Sequence, residues 1–197
     1  MKTIFLATHN RDKIREIKNK LGEAVDIKTL EDYPDFPEVI EDGETLAENA
    51  LIKVRAAFAH TGLPSLADDT GLAVDALGGA PGVCSSRYAG ENVSYTDNVR
   101  KLLQEMKNIP QKQRTARFAT VAAFTDGSRE ITEEGILEGL ITFDPSGSDG
   151  FGYDPIFYIP EKNATLAQLE LSEKNKISHR ARALQKIVEQ LRREKVI

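Results

Sequence analysis

Two adjacent carboxylates, Asp68 and Asp69, are the residues of this sequence with the clearest capacity for chemistry. They lie in ADDTGL at residues 67–72, at a predicted strand end, and the segment GGAPGVCSSRYAG with Arg87 follows at 78–90. Carboxylates, glycine turns and a cation this close together are typical of a site for a metal ion and a phosphorylated ligand. The alternative is a plain turn, in which aspartate, threonine and glycine are common.

The segment THNRDK at residues 8–13 lies between a predicted strand and a predicted helix. At such a junction the backbone N–H groups and the helix dipole favour an anion. Asn10 either caps the helix or binds a ligand, and Lys13 lies one turn further on. A plain cap with a solvated lysine is the alternative. The segment lacks the glycines of a Walker A sequence, which argues against a P-loop.

A third group comprises Glu41, Asn49 and Lys53. Asn49 and Lys53 are four residues apart, so they share one side of a predicted helix, away from its apolar face. This spacing allows the two side chains to point together into a cleft. A solvated polar face is the more common alternative.

The segment SGSDGFGYDPIF at residues 146–157 combines three glycines with Phe151, Tyr153 and Asp154. Glycine permits a close approach of the backbone to a ligand, and Phe151 or Tyr153 offers a flat surface for a nucleobase. A structural loop closed by aromatic side chains is the alternative.

In SEKNKISHR at residues 172–180, Ser178 is the predicted N-cap of the last helix. His179 and Arg180 then fall in the first turn, where the helix dipole disfavours cations. Exceptions to a local rule are often found at functional sites. A hydrogen bond of His179 within the core is the alternative.

Composition excludes several classes of protein. The 197 residues carry a formal net charge of −5, which argues against broad nucleic-acid binding. Cys84 is the only cysteine, so we predict a reducing compartment and a small buried thiol. The start of the chain turns polar too soon for a signal peptide, and no run approaches the roughly 18 apolar residues that cross a membrane. We therefore expect a soluble cytoplasmic protein.

The elements that must position these residues alternate between strands and helices. Apolar runs predict strands at 3–7, 25–30, 65–69, 72–77 and 155–159, and a hairpin over 115–143 that turns at Asp126-Gly127. Apolar residues at helical spacing predict helices near 14–21, 45–61 and 96–107 and a last helix from Ser178. This alternation indicates an α/β domain with a mixed sheet.

Six ordered motifs carry a family resemblance. They are T-x-N-x-x-K at 8–13, ENAxxK at 48–53, ADDTGL at 67–72, GGAPGVxSxRY at 78–88, GFGYDPIF at 150–157 and ISHR at 177–180. Together they resemble the inosine triphosphate pyrophosphatases, also called XTP/dITP diphosphatases, over essentially the whole chain.

The resemblance implies one pyrophosphatase domain over residues 1–197, with an elongated mixed α/β sheet flanked by helices, two lobes and a central cleft. It also implies a homodimer that uses Mg²⁺ to cleave nonstandard purine nucleoside triphosphates (dITP/ITP, XTP/dXTP) into a nucleoside monophosphate and pyrophosphate. Such activity would remove deaminated purines from the nucleotide pool.

The resemblance also implies roles for single residues. Asp69 would be the general base, and Glu41 with Asp69 or Asp68 would hold Mg²⁺, which prefers one or two carboxylates. Lys13, Lys53 and a lysine five residues before the histidine would bind phosphate; this spacing selects Lys174. The full set of implied substrate-binding residues is Thr8, His9, Asn10, Arg11, Asp12, Lys13, Thr70, Phe151, Gly152, Tyr153, Asp154, Lys174, His179 and Arg180.

Selection of the nucleobase follows from hydrogen bonding. His179 and Arg180 would donate to the 6-oxo group of hypoxanthine or xanthine, whereas adenine would present an amino group to the same donors. A buried unpaired polar group costs about 1–3 kcal/mol, which is roughly 5–150-fold in discrimination. Phe151 would stack on the base, and Asp154 would accept from a ring N–H.

Two other functions compete with this interpretation. One is a Maf-like pyrophosphatase that acts on modified pyrimidine nucleotides, against which GFGYDPIF and ISHR argue. The other is a nucleotide-binding protein without catalysis, against which the intact Asp68-Asp69 pair argues. Arg87 and Tyr88 stay open between scaffold and ligand contact, with scaffold slightly favoured.

Overall fold

The computed structural model of the chain describes residues 2–22 and 25–197. These residues form a mixed sheet of eight strands and five α-helices. The strands are β1 Lys2–Leu6, β2 Val25–Thr29, β3 Ser65–Val74, β4 Pro81–Gly82, β5 Thr115–Thr125, β6 Glu130–Ile141, β7 Phe157–Ile159 and β8 Ala164–Thr165. The helices are α1 Arg11–Leu21, α2 Leu46–Thr61, α3 Tyr95–Glu105, α4 Leu171–Ile177 and α5 His179–Arg193.

The sheet has the strand order β2-β1-β3-β5-β6-β7-β8, and β4 pairs with β3. Strand β1 runs parallel to β2 and β3, with Lys2 opposite Val25 and Leu6 opposite Thr29. Strand β7 runs antiparallel to β6 and β8. The predicted α/β class with a mixed sheet is therefore confirmed, whereas the elongation, the two lobes and the central cleft stay predictions.

The described residues divide into two compact units. The first unit contains 2–22, 25–69, 120–135 and 180–197. Its core has two parts, one where α1 and α5 pack on the strands through residues such as Ile17 and Ile187, and one beneath α2. Helix α2 begins after Thr45, whose hydroxyl accepts from the Glu48 amide, and ends at Gly62 in the left-handed conformation.

The second unit contains residues 70–119 and 136–179. Its core joins α3 to the strands through fully buried residues, among them Leu102, Ile156 and Phe157. Strands β3, β5 and β6 contribute residues to both units. The prediction of a single domain over 1–197 stays a prediction.

Three details of the sequence interpretation were wrong. Asp68, Asp69 and Thr70 lie inside the uninterrupted ten-residue strand β3, so ADDTGL is neither a strand end nor a turn. The run is buried almost throughout, and its pairing within the sheet outweighs the local preference of aspartate and glycine for turns. Cys84 is exposed rather than buried. The short helix α4 was not predicted at all.

Candidate active site

Asp68 and Asp69 point to opposite faces of β3, as successive residues of a strand must. Asp68 is 1% exposed and contacts two cations. The Lys13 ammonium lies 3.2 Å from Asp68 Oδ1, and Arg180 Nε donates to Asp68 Oδ2 at 2.8 Å. Burial opposes the charge on Asp68, but Lys13 and Arg180 outweigh it, so the pKa of this carboxyl lies below its ordinary value.

Arg180 also binds a carboxylate that the sequence analysis missed. Its Nη1 donates to Glu16 Oε2 at 2.8 Å, and both side chains are buried. Burial opposes the charge on Arg180, and Asp68 and Glu16 outweigh it, which raises the pKa of the guanidinium. The signal for Glu16 was present in the sequence, because it lies three residues after Lys13 and is, with Asp12, one of two acidic residues on a helix whose other polar side chains are basic or amide.

On the other face of β3, Asp69 meets one shared cation. Lys53 Nζ donates to Asp69 Oδ1 and to Glu41 Oε2, each at 2.8 Å. Lys53 is buried in the first unit although it is charged, so the alternative of a solvated polar face is wrong for it. Asn49 is also buried, and its Oδ1 accepts from the Gly43 amide at 2.8 Å.

The pKa values of Asp69 and Lys53 depend on burial and on the contacts that Lys53 makes with both carboxylates. Burial raises the pKa of Asp69, and Glu41 acts in the same direction against Lys53. For Lys53, burial opposes the charge, but Asp69 and Glu41 outweigh it and raise the pKa. Burial lowers the pKa of Lys13, and Asp68 only partly offsets it.

The segment at residues 8–13 begins α1. The Asn10 side chain accepts from the amides of Asp12 and Lys13 at 2.9 and 3.2 Å, so the capping alternative for Asn10 is confirmed. Thr8 Oγ1 accepts from the Asn10 amide, and His9 is exposed. The Arg11 guanidinium lies 3.5 Å from a carboxylate oxygen of Glu31, whereas Asp12 pairs with Arg15. Lys13 is the member of this segment that reaches Asp68.

In the second unit, Phe151, Asp154 and Lys174 form a separate cluster. Lys174 Nζ lies 2.9 Å from Asp154 Oδ2 and 4.7 Å from the centroid of the Phe151 ring. The Phe151 amide also donates to Asp154 Oδ2 at 2.8 Å, which fixes the loop. Gly152 adopts a positive φ of 63°, where a side chain would be strained.

The remaining predicted residues of the second unit differ in exposure. Tyr153 is buried, and its hydroxyl donates to the Ser85 carbonyl at 2.9 Å. His179 is buried and stacks on Phe118, with the ring centroids 4.5 Å apart. Thr70 is half-buried on β3. Tyr95, which the sequence analysis did not single out, lies 6.1 Å from Phe151 between ring centroids and is 48% exposed.

Tyr88 has partners that favour the scaffold alternative. Its hydroxyl donates to Glu105 on α3, and the Lys101 ammonium lies 4.3 Å from the centroid of its ring. Lys101 also donates to the Tyr88 carbonyl at 2.7 Å. Burial raises the pKa of Tyr88, and the bond to Glu105 acts in the same direction. These contacts fasten the segment after β4 to α3.

Comparison with known proteins establishes the family. A protein-family model described as the Ham1 family matches residues 4–190. The chain belongs to the Ham1 family. The six-motif resemblance is thereby confirmed, because the relatives below carry the activity name that the motifs predicted.

The relatives match almost end to end. The dITP/XTP pyrophosphatase of Geobacter sulfurreducens is 52% identical over 186 residues, which cover 93% of this chain and 94% of that protein. The dITP/XTP pyrophosphatase of Vibrio cholerae is 48% identical over 191 residues, 95% of each chain. Among solved structures, a Ham1 protein from Coxiella burnetii superposes with a TM-score of 0.90 at 40% identity, covering 98% of this chain and 100% of that one.

Within residues 2–22 and 25–197, no three or more histidine, cysteine, aspartate or glutamate side chains form a group that could hold a metal ion by themselves. Over the same residues, none of the helices has the length and apolar character that a membrane crossing requires.

Proposed function

We propose that this chain hydrolyses nonstandard purine nucleoside triphosphates, dITP/ITP and XTP/dXTP, to the nucleoside monophosphate and pyrophosphate. The names of its Ham1 relatives support the reaction. The observation that carries the proposal is the shared ammonium of Lys53, which holds Glu41 and Asp69 together at 2.8 Å each in a partly buried site. We also propose, on the resemblance alone, a cytoplasmic homodimer.

Glu41 and Asp69 fit a magnesium ion. Two carboxylates face one ammonium there, so the group keeps one unbalanced negative charge. Within the described residues, no hydrogen-bond donor contacts Asp69 Oδ2 or Glu41 Oε1. Hard oxygen ligands in this number suit Mg²⁺, which completes its shell with waters and substrate phosphates. When bound, Mg²⁺ would offset phosphate charge and polarise the phosphoryl group. Asp68 is a weaker candidate ligand, because both of its oxygens contact cations.

Asp69 is the proposed general base. Lys53 fixes one of its oxygens, which leaves Oδ2 to accept the proton of an attacking water. The raised pKa of Asp69, caused by burial, makes this carboxylate a stronger proton acceptor than an ordinary aspartate. A positioned base of this kind contributes about 10²–10⁴-fold to a rate.

Lys13, Lys53 and Lys174 are the proposed phosphate contacts. An ammonium has three N–H donors, and Lys13 uses two of them on the Asp68 side chain and carbonyl. Its third donor can bind a phosphate oxygen, and so can the equivalent donor of Lys53. The segment Thr8 to Lys13 would add backbone contacts to the same anion, as helix starts do.

The contacts to the nucleobase are proposed from the family resemblance and from the cluster of Phe151, Asp154 and Lys174. Phe151 would stack on the purine, and Asp154, ordered by the Phe151 amide, would accept from a ring N–H. His179 and Arg180 would donate to the 6-oxo group. Because Asp68 and Glu16 hold the Arg180 guanidinium in one orientation, this donor would be preorganised.

The test is release of pyrophosphate from a panel of nucleoside triphosphates with Mg²⁺. We expect dITP, ITP and XTP to be cleaved at least about 25-fold faster than ATP, because two discriminating contacts of about 1–3 kcal/mol each contribute roughly 5-fold or more apiece. Faster cleavage of dTTP or UTP than of ITP would support the Maf-like alternative instead. Binding of dITP without release of pyrophosphate would identify a non-catalytic binding protein.

A further inference from the structure

Helix α2 holds the segment that carries Glu41 at two places. Near its C-terminal end, the His60 ring contacts Phe36, with centroids 5.2 Å apart, and His60 Nε2 lies 3.5 Å from Asp35 Oδ2. Near its N-terminal end, Asn49 accepts from the Gly43 amide. Glu41 lies between these two attachments and is only two residues from the second one.

Asn49 and Lys53 act on the same short segment from one face of α2. Asn49 fixes the backbone at Gly43, and Lys53, one turn later, contacts the Glu41 carboxylate. Asn49 is 1% exposed, so its amide is shielded from water. A Cβ atom added to Gly43 would lie 2.7 Å from Asn49 Oδ1, which shows how closely backbone and side chain fit.

We propose that Asn49 is a positioning residue for Glu41. The Asn49–Gly43 hydrogen bond sets the path of the backbone just before α2 and therefore the position of the Glu41 carboxylate beside Lys53 and Asp69. The inference rests on the proposed role of Glu41 as a metal ligand. Groups that orient a ligand without touching the metal change metal affinity by about 10–100-fold when they are removed.

The test compares three variants. Asn49→Ala removes the acceptor, and Asn49→Asp keeps an acceptor oxygen for the Gly43 amide. Arg55→Ala, also on α2, breaks only an exposed ion pair with Glu130 and is the matched control. We expect Asn49→Ala to raise the half-saturating Mg²⁺ concentration for pyrophosphate release about tenfold. Arg55→Ala should stay within about twofold of the parent chain. Asn49→Asp keeps the acceptor but adds a buried charge, so it is compared only by the exchange rate of the Gly43 amide, which should stay close to that of the parent chain.

A second readout does not need activity. Hydrogen–deuterium exchange of the peptide around Gly43 should accelerate in Asn49→Ala and stay unchanged in Arg55→Ala. Glu41→Gln supplies the decisive comparison: if Asn49 acts through Glu41, adding Asn49→Ala to that variant should change the Mg²⁺ requirement no further. Additive effects, or an unchanged Mg²⁺ requirement in Asn49→Ala, would overturn the proposal.

The outcomes separate this inference from the function itself. A parent chain without Mg²⁺-dependent pyrophosphate release would contradict the proposed function, and direct Mn²⁺ binding followed by electron paramagnetic resonance would then compare the same variants. Equal Mn²⁺ affinity in the parent chain and in Asn49→Ala would overturn the positioning role. If Asn49→Ala does not fold, Gly43→Ala attacks the same contact from the other side and is expected to give the same shift.

Discussion

One charge cluster in each unit contains a buried lysine, and the two lysines differ in the carboxylates that they contact. In the first unit, one ammonium, that of Lys53, serves two carboxylates, Glu41 and Asp69. In the second unit, the Lys174 ammonium contacts the Asp154 carboxylate and lies against the Phe151 ring. A buried ion pair can order a loop, whereas two carboxylates that share one ammonium can accept a further cation. The comparison therefore supports the first unit as the place of the proposed Mg²⁺ site.

The largest effect is expected from Asp69→Asn. The amide cannot accept a proton from water, so turnover of dITP should fall about 10²–10⁴-fold. Lys53 retains Glu41 as a partner, so the variant should fold. Stopped-flow pyrophosphate release and equilibrium binding of dITP measure the two properties separately. Activity like that of the parent chain would refute Asp69 as the base.

The Lys174–Asp154 pair of the second unit can be disrupted by replacing one of its residues or both. Lys174→Met should destabilise the chain by about 3–5 kcal/mol, because it leaves the buried Asp154 carboxylate without its cation. Adding Asp154→Asn should restore a large part of that loss, since no charge remains to be buried. Urea unfolding of the single and double variants gives both free energies. A double variant as unstable as the sum of the two single ones would show that balance is not what stabilises the pair.

The shared ammonium of the first unit predicts a pH effect with a definite sign. Burial and Glu41 both raise the pKa of Asp69, so the rate should be lost on acidification at a higher pH than for an ordinary aspartate. Glu41→Gln removes the repulsion and leaves Lys53 to Asp69 alone, which should lower that pKa. ¹³C NMR titration of the Asp69 carboxyl measures it directly. An upward shift in this variant would contradict the electrostatic account, and Arg55→Ala serves as the unaffected control.

The smallest effect concerns Tyr153 in the second unit. Its buried hydroxyl donates to the Ser85 carbonyl, so Tyr153→Phe should cost about 1 kcal/mol of unfolding free energy. The KM for dITP should stay unchanged if the residue only supports the loop. An increase in KM with unchanged stability would instead support the predicted contact between Tyr153 and the substrate.

Much of the fold could be predicted from local pattern. Gly22 and Gly62 end α1 and α2, and Asn10 and Thr45 begin them, where the sequence placed these helices. A helix cap depends on residues within a few positions of the helix end, so it can be recognised from the sequence alone. The strand through ADDTGL was misjudged for the opposite reason, because pairing within the sheet overrode a local preference for a turn.

The candidate site divides in the same way. Its residue types were evident from six motifs, and membership of the Ham1 family followed from them. The pairing of its charged side chains was not evident from the motifs. Arg180 meets Glu16, which lies 164 positions earlier, and no periodicity in the chain links such distant residues.

The sequence by itself determined which functional groups this protein contains and where its capped helices begin and end, because motifs and caps depend on residues within a few positions. Only the tertiary structure decided that Asp68 is held by Lys13 and Arg180 while Asp69 shares Lys53 with Glu41. The physical reason is that successive residues of a strand face opposite sides of the sheet. Two neighbouring aspartates with the same chemistry thus enter different electrostatic surroundings, and burial with those partners gives them pKa shifts of opposite sign.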